Sequence, residues 1–124
     1  MATSINTIKQ VARKFNKEYF NGQISIGQIE FSISNQMVSC LGQFGVKPGR
    51  KQYCKISAVI MPNSKEWRNT LCHELVHAWQ YQTGQTLDHG FSFKTKAWEI
   101  RSINPKMIIS RLANSDEVSK AVLD

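Results

Sequence analysis

Apolar side chains recur every three or four residues near the start of the chain. The stripe consists of Ile5, Ile8, Ala12, Phe15 and Tyr19. This spacing places the side chains on one face of a helix. Gly22 follows the stripe and is a natural helix stop. The pattern therefore predicts an amphipathic helix over residues 4–20.

The next part of the chain alternates apolar with polar residues or is rich in β-branched and aromatic residues, as strands are. The predicted strands cover residues 24–33, 37–46 and 53–60. Two glycines weaken the second of them. In the third, Ile56, Ala58 and Ile60 are expected to share one face. The Lys-Pro-Gly-Arg sequence at residues 47–50 predicts a turn between the second and third strands.

Two further helices are predicted. Residues 64–83 are apolar almost all round, and only a strip through His73, His77 and Gln80 is polar. A helix of this kind is buried within its domain. A shorter helix is predicted over residues 91–103, where an Asn-Pro pair ends it.

The 124 residues suffice for one domain with a single core. The predicted order is an N-terminal helix, a small three-stranded sheet, a buried helix and a supporting helix, which is an α+β fold. We place the core at about residues 4–104 of a single domain that spans residues 1–124. The C-terminal segment, residues 105–124, is expected to hold one or two short helices.

All three histidines of the chain fall within one metal-binding pattern. His73 and His77 are the ends of an HExxH motif in the buried helix. Histidines four residues apart lie ~40° apart around a helix and ~6 Å along it, so both can reach one ion. His89 is expected to supply a third ligand from a loop. Three protein ligands with one open position are the layout of catalytic rather than structural zinc.

Glu74 is the second residue of the motif. Its side chain is expected beside the two histidines, where it can touch a water on the metal without binding the metal itself. We therefore predict that Glu74 is the general base, which takes a proton from the attacking water and returns it to the leaving amine. Zinc is inferred from the imidazole ligands.

Three segments resemble a known family. They are residues 70–78 (TLCHELVHA), residues 88–93 (DHGFSF) and residues 19–24 (YFNGQI). The first is similar to the active-site helix of the SprT-like (Spartan-like) zinc metalloproteases, and the second to their third-ligand segment. The third resembles the exit of their N-terminal helix. The spacing of the third histidine does not fit metzincins.

The resemblance implies a reduced zincin-like domain and a zinc endopeptidase, of the gluzincin-type HExxH class, that acts on proteins bound or crosslinked to DNA. Many relatives also carry a zinc ribbon built from paired cysteines. This chain has only Cys40, Cys54 and Cys72, without a CxxC pair, so we expect the protease core without the ribbon. The interval between His77 and His89 is slightly shorter than in relatives, which affects the loop more than the chemistry.

Zincin clefts usually hold the substrate as an extended strand along a sheet edge. Residues 37–46 or residues 53–60 are expected to supply that edge. Tyr53 and Tyr81 are candidate stabilisers of the oxyanion, although both also suit ordinary packing. Asp88 is either a partner that orients His89 or a turn-forming aspartate.

The net charge is +7, and the basic residues are unevenly distributed. No acidic residue occurs between Glu30 and Glu66. The candidate nucleic-acid-binding residues are Lys47, Arg50, Lys51 and Lys55, together with Lys9 and Arg13 on the first predicted helix. Basic residues interleaved with aromatic ones suit single-stranded DNA, and the alternative is a solvated face. The family resemblance favours DNA.

The leading hypothesis is a zinc endopeptidase with DNA-bound protein substrates. The alternative is a basic nucleic-acid-binding module with a non-catalytic structural zinc site, in which Glu74 would be dispensable. A third, a zinc hydrolase of a cell-wall peptide, is disfavoured because no signal peptide is visible. No apolar run approaches the ~20 residues of a membrane span. The cysteine pattern predicts reduced thiols, so we expect a cytoplasmic protein, in the nucleoid or a host-cell cytosol, that is not secreted.

Overall fold

A computed structural model describes residues 4–36 and 41–109, which form one α+β domain. The helices are α1 (Ile5–Tyr19), α2 (Lys65–Gln82) and α3 (Phe91–Ile103), and the strands are β1 (Ile29–Ser34), β2 (Gly42–Lys47) and β3 (Lys51–Ser57). The predicted class and order of elements are confirmed. Residues 105–109 contain a turn and no helix, and the rest of the C-terminal segment lies outside the described residues.

Polar side chains fix both ends of α1. The Ser4 Oγ accepts a hydrogen bond from the Thr7 N–H at 3.0 Å, which caps the first turn. At the other end, the Asn16 amide bonds both backbone groups of Ile24, accepting from its N–H at 3.0 Å and donating to its carbonyl at 2.8 Å. The chain that leaves α1 is therefore held against the helix before it enters the sheet.

The first strand is shorter than predicted, because residues 26–28 form a 3₁₀ turn and β1 begins at Ile29. Both backbone groups of Ile24 are already bonded to Asn16, and the Ser25 N–H donates to Gln82 Oε1 at 2.6 Å. These groups cannot also pair with a neighbouring strand. The prediction of a strand at residues 24–28 was therefore wrong.

The sheet has the order β1-β3-β2, so β3 is central. It runs parallel to β1 and antiparallel to β2. The hairpin from β2 to β3 uses the turn predicted at residues 47–50, in which Gly49 and Arg50 have φ of 85° and 65°. The expectation that residues 53–60 supply a sheet edge was wrong, because strands pair with both sides of β3. Among the described residues, β2 is one edge.

The two faces of the sheet differ in what covers them. Phe31, Cys54 and Phe44 lie side by side across the three strands and are buried. We call this helix-covered side the inner face. The paired residues Gly45 and Tyr53 lie on the other side, the outer face, where the side chains of Tyr53 and the neighbouring lysines are half-buried or exposed.

The third strand ends earlier than predicted. The Ser57 Oγ accepts a hydrogen bond from the Val59 N–H at 3.2 Å, and the chain turns there. Ala58 is consequently exposed in the turn, whereas Ile56 and Ile60 are buried. The predicted common face for these three residues was wrong.

The central helix α2 carries the HExxH motif through the middle of the domain. The Ser64 Oγ accepts from the Trp67 N–H at 3.1 Å and caps the helix. Every residue from Thr70 to Ala78 is buried. Gly84, with φ of 79°, follows the end of the helix as predicted.

Helix α3 packs against α2 and contributes the buried side chains Phe93 and Ile100 to the core. The largest fully buried aromatic residues are Trp67, Phe15, Phe20, Phe44 and Phe93. The core thus lies between the inner face and the helices. None of the described helices is long and apolar enough to cross a membrane.

Candidate metal centre

The imidazoles of His73, His77 and His89 converge at one point on the inner side of the domain. Nε2 of His89 lies 3.2 Å from Nε2 of His77 and 3.3 Å from Nε2 of His73. One potential ligand atom from each residue falls within 4.8 Å of the others. Three residues from a helix and a following loop are therefore assembled as a group that could hold a metal ion.

The spacing of these nitrogens suits zinc. A tetrahedral site with Zn–N bonds of roughly 2.0–2.1 Å separates its nitrogens by about 3.3 Å. The two Nε2 separations that involve His89 match that value. The three histidines also leave a fourth coordination position, as catalytic sites do.

Phe93 forms the floor of the histidine cluster. Its ring centre lies 4.8 Å from that of His73, 5.1 Å from that of His77 and 4.7 Å from that of His89. His73 and His77 are buried, while His89 is half-buried. Because Phe93 is itself buried, helix α3 holds all three rings from one side.

Glu74 is fully buried where α2 passes the beginning of β2. A Cβ atom at Gly42 would come 2.9 Å from Glu74 Oε2 and 2.7 Å from Thr70 Cγ2, so a glycine is needed for this close approach. Burial raises the pKa of the Cys54 thiol well above its ordinary value, and the Glu74 charge raises it further. Since burying a carboxylate is costly, its presence here suggests a chemical role rather than packing.

Gln80 connects the helix to the loop that carries His89. Its Oε1 lies 2.8 Å from His77 Nδ1. Its Nε2 donates to the Asp88 carbonyl at 3.1 Å and to Ser92 Oγ at 2.9 Å. The side chain is fully buried. The histidine cluster is thus held by hydrogen bonds from Gln80 as well as by packing against the Phe93 ring.

A model of the SprT-like family matches residues 8–113, nearly the whole chain. The chain belongs to the SprT-like family. A comparison with curated proteins finds no match. Family membership, the HExxH helix and the clustered histidines together indicate a metalloprotease-type domain with a site able to bind a metal ion.

In this SprT-like domain, Asp88 forms a turn and does not orient His89 with its carboxylate. Its Oδ1 accepts a hydrogen bond from the Gly90 N–H at 2.9 Å, which is the bond of a turn-forming aspartate. The backbone carbonyl of Asp88, rather than its carboxylate, bonds the side chain of Gln80. Asp88 therefore shapes the loop in front of His89.

The two tyrosines proposed as oxyanion stabilisers lie elsewhere. Tyr53 is on the outer face, where a Cβ at Gly45 would overlap its hydroxyl. Tyr81 lines a polar cavity of about 520 Å³ beside Gln82, at the end of α2. Neither position supports the role.

Sequence reasoning missed the parts played by Gly42 and Gln80. In the sequence, Gly42 is only one of two glycines that weaken a predicted strand. The close approach of Gly42 to Glu74 can be recognised only when β2 is known to pack against α2. The sequence pattern does not show that packing. Gln80 is three residues after His77 and so on the same side of the helix. A polar residue there, in an otherwise apolar helix, was a usable signal.

The structure divides the predicted nucleic-acid-binding residues into two groups. Lys47, Lys51 and Lys55 lie on the outer face, and Arg50 is in the adjoining turn. The Nζ atoms of Lys47 and Lys55 each lie 5.4 Å from the centre of the Tyr53 ring. We call these four residues with Tyr53 the basic face.

Lys9 and Arg13 lie on α1, which packs its apolar side into the core beneath the inner face. The sheet therefore separates them from the basic face. The six candidate residues thus lie in two separate places, and nucleic-acid binding by either group stays a prediction.

Proposed function

We propose that this chain is a zinc-dependent endopeptidase that cleaves DNA-associated or DNA-crosslinked proteins, with Glu74 as general base. The observation that carries the proposal is the convergence of three histidines, in which His89 Nε2 lies at tetrahedral spacing from Nε2 of the other two, which lie on a helix that also buries Glu74. Membership in the SprT-like family supports a metalloprotease.

The residues that would hold zinc are His73, His77 and His89. When bound, zinc lowers the pKa of a coordinated water and polarises the scissile carbonyl. Glu74 accepts the proton of the attacking water and delivers it to the leaving nitrogen, so that one carboxylate serves both halves of the hydrolysis. The apolar floor provided by Phe93 excludes bulk water from one side and strengthens electrostatic interactions within the site.

The substrate chain is proposed to lie along β2. This strand is a sheet edge among the described residues and begins at Gly42, next to Glu74. An extended peptide that pairs with such an edge obtains main-chain hydrogen bonds without regard to its sequence. A cavity of about 380 Å³, lined in part by Leu41 and Thr70, adjoins the same strand and can take a substrate side chain.

The basic face supports DNA as a partner. Two of its lysines, Lys47 and Lys55, lie over the Tyr53 ring, a combination that provides both phosphate contacts and base stacking. It lies across the sheet from the histidines, so DNA bound there would leave the catalytic side open to a protein substrate. The salt bridge from Lys47 to Glu30, at 3.9 Å between exposed side chains, is too weak to neutralise the face. With such substrates, the proposed site of action is the cytoplasm, in the nucleoid or a host-cell cytosol.

The test is proteolysis of a DNA-binding protein, including self-cleavage, with and without a single-stranded oligonucleotide. The Glu74→Gln variant is the control for contaminating proteases. Cleavage that the oligonucleotide stimulates and the variant lacks is expected. Cleavage unaffected by DNA would remove the DNA part of the proposal. Salt-dependent DNA binding without any cleavage would instead favour the module with a structural zinc site.

A further inference from the structure

Gln80 is a fully buried polar side chain beside the histidine cluster and makes three of the described hydrogen bonds. It has no exposed surface, yet it is an amide in a helix whose neighbouring positions are apolar. Burying an amide is unfavourable unless its hydrogen bonds are made. Gln80 bonds three partners, one on each of three consecutive parts of the chain: α2, the loop before His89 and the first turn of α3.

These partners determine which way the amide faces. The Asp88 backbone carbonyl has no proton to give, so the group 3.1 Å from it must be the amide nitrogen. The atom that faces His77 Nδ1 at 2.8 Å is then the amide oxygen, which only accepts. His77 must therefore carry a proton on Nδ1, and in the neutral ring its lone pair is then on Nε2, the atom that faces the other two histidines.

The same amide also restrains the third histidine. The bonded Asp88 carbonyl belongs to the peptide unit immediately before His89, and Ser92 lies three residues after it. The Gln80 amide nitrogen thus donates hydrogen bonds to residues on both sides of His89 and restrains the position of the loop that carries it. Gln80 fixes the tautomer of one ligand and the position of another through a single rigid group.

We propose that Gln80 is a positioning residue that prepares the three histidines for the metal before the metal arrives. It holds His77 in the tautomer that presents Nε2 and ties the His89 loop to α2. The inference rests on the proposed metal site, but not on the proposed proteolysis.

The first experiment measures the tautomer directly in the metal-free protein. Nitrogen-15 NMR of the histidine rings is recorded at about pH 8.5, two units above the ordinary histidine pKa of about 6.5, so that neutral rings predominate. The expected result for His77 is a protonated Nδ1, and a protonated Nε2 would overturn the proposal.

The second experiment separates the two roles by substitution. Gln80→Leu removes all three bonds at similar volume, and zinc affinity, measured by competition with a chelator, is expected to fall by about 10–100-fold. Gln80→Glu keeps an acceptor for His77 but cannot donate to the Asp88 carbonyl. It is expected to keep the Nδ1–H signal while losing part of the zinc affinity. Zinc affinity within twofold of the wild type in both variants would overturn the proposal.

Gln82→Leu is the matched control on the same helix. Gln82 also bridges two segments, donating to Gln52 Oε1 at 2.8 Å and accepting from the Ser25 N–H, but it does not contact a histidine in the described hydrogen bonds. The control is expected to lower thermal stability without changing the His77 tautomer or the zinc affinity. If it lowers zinc affinity as much as Gln80→Leu does, the effect is general destabilisation and the proposal fails.

Zinc affinity and cleavage are measured separately, so the positioning role of Gln80 and the proposed proteolysis can fail independently of each other. Zinc affinity that depends on Gln80, in a protein that never cleaves a substrate, would support the positioning role and reject the protease. If cleavage depends on Glu74 but zinc affinity is unchanged by substitution of Gln80, the protease is supported and the positioning role is rejected. If Gln80→Leu fails to fold, the wild-type tautomer and Gln80→Glu still decide the question.

Discussion

The histidine cluster and the basic face lie on opposite sides of one small sheet. The histidines are fixed by burial and hydrogen bonds, whereas the basic side chains are more exposed and make weaker contacts. His77 is buried, bonded to Gln80 and packed on Phe93. On the basic face, Lys47 and Lys55 reach Tyr53 only by cation–π contacts of 5.4 Å. A metal needs its ligands within a few tenths of an ångström, whereas a flexible nucleic acid is met by side chains that can move. The domain thus has a rigid side that carries the candidate metal site and, across the sheet, a basic side whose side chains are more exposed.

The largest effect is expected when a ligand is removed from the rigid side. His89→Ala should weaken zinc binding by more than the roughly 10–100-fold that loss of a ligand's hydrogen-bond partner costs, and cleavage should fall to background. Metal content after dialysis and proteolysis of the same sample measure both. Asp88→Asn is the control, since it keeps an acceptor for the Gly90 N–H in the same loop. One tightly bound zinc with full activity in His89→Ala would remove His89 from the site.

Adding one methyl group at Gly42 should disturb the base but not the metal. The new Cβ would lie 2.9 Å from Glu74 Oε2 and 2.7 Å from Thr70 Cγ2, so the carboxylate must shift together with the Thr70 methyl group. Displacing a reacting group by about 1 Å can cost about 100-fold in rate. We expect Gly42→Ala to bind zinc normally and to cleave up to about 100-fold more slowly.

Gly45→Ala is the matched control on the same strand. A Cβ there meets Tyr53 on the outer face and leaves Glu74 undisturbed. Equal losses of cleavage in the two variants would mean that β2 as a whole, and not the contact with Glu74, is responsible.

Reversing charge on the basic face should affect DNA and leave catalysis intact. Lys51→Glu with Lys55→Glu should weaken binding of single-stranded DNA and make its logarithmic salt dependence shallower by about 1.4, since two phosphate contacts are lost. Cleavage of a DNA-free peptide should be unchanged. The matched variant is Lys9→Glu with Arg13→Glu on α1. If that pair has the larger effect on DNA affinity, the nucleic acid binds the helical side instead.

The sequence was most informative where chemistry depends on local spacing. The ends of α1 and α2 agree with the prediction to within one residue, because capping residues and apolar periodicity are local signals. The convergence of His73 with His77 follows from helix geometry alone. The approach of His89 was an inference from one loop residue, and the structure brings it to the others.

What could not be predicted depends on contacts between distant residues. The strand predicted at residues 24–28 was lost to side-chain bonds from Asn16 and Gln82, which are remote in sequence. The central place of β3 depends on how the chain connects the strands, and alternation of residue types does not encode strand order. The close approach of Gly42 to Glu74 has the same origin, since it exists only once β2 lies against α2.

The most direct test of the central claim is to measure zinc content and proteolysis side by side in the wild type and Glu74→Gln. We expect one zinc per chain in both proteins and a loss of cleavage of about 10²–10⁴-fold in the variant, because the base is removed and the ligands are not. Cleavage at the wild-type rate by the zinc-loaded variant would contradict the assignment of Glu74 and, with it, the proposed catalytic site.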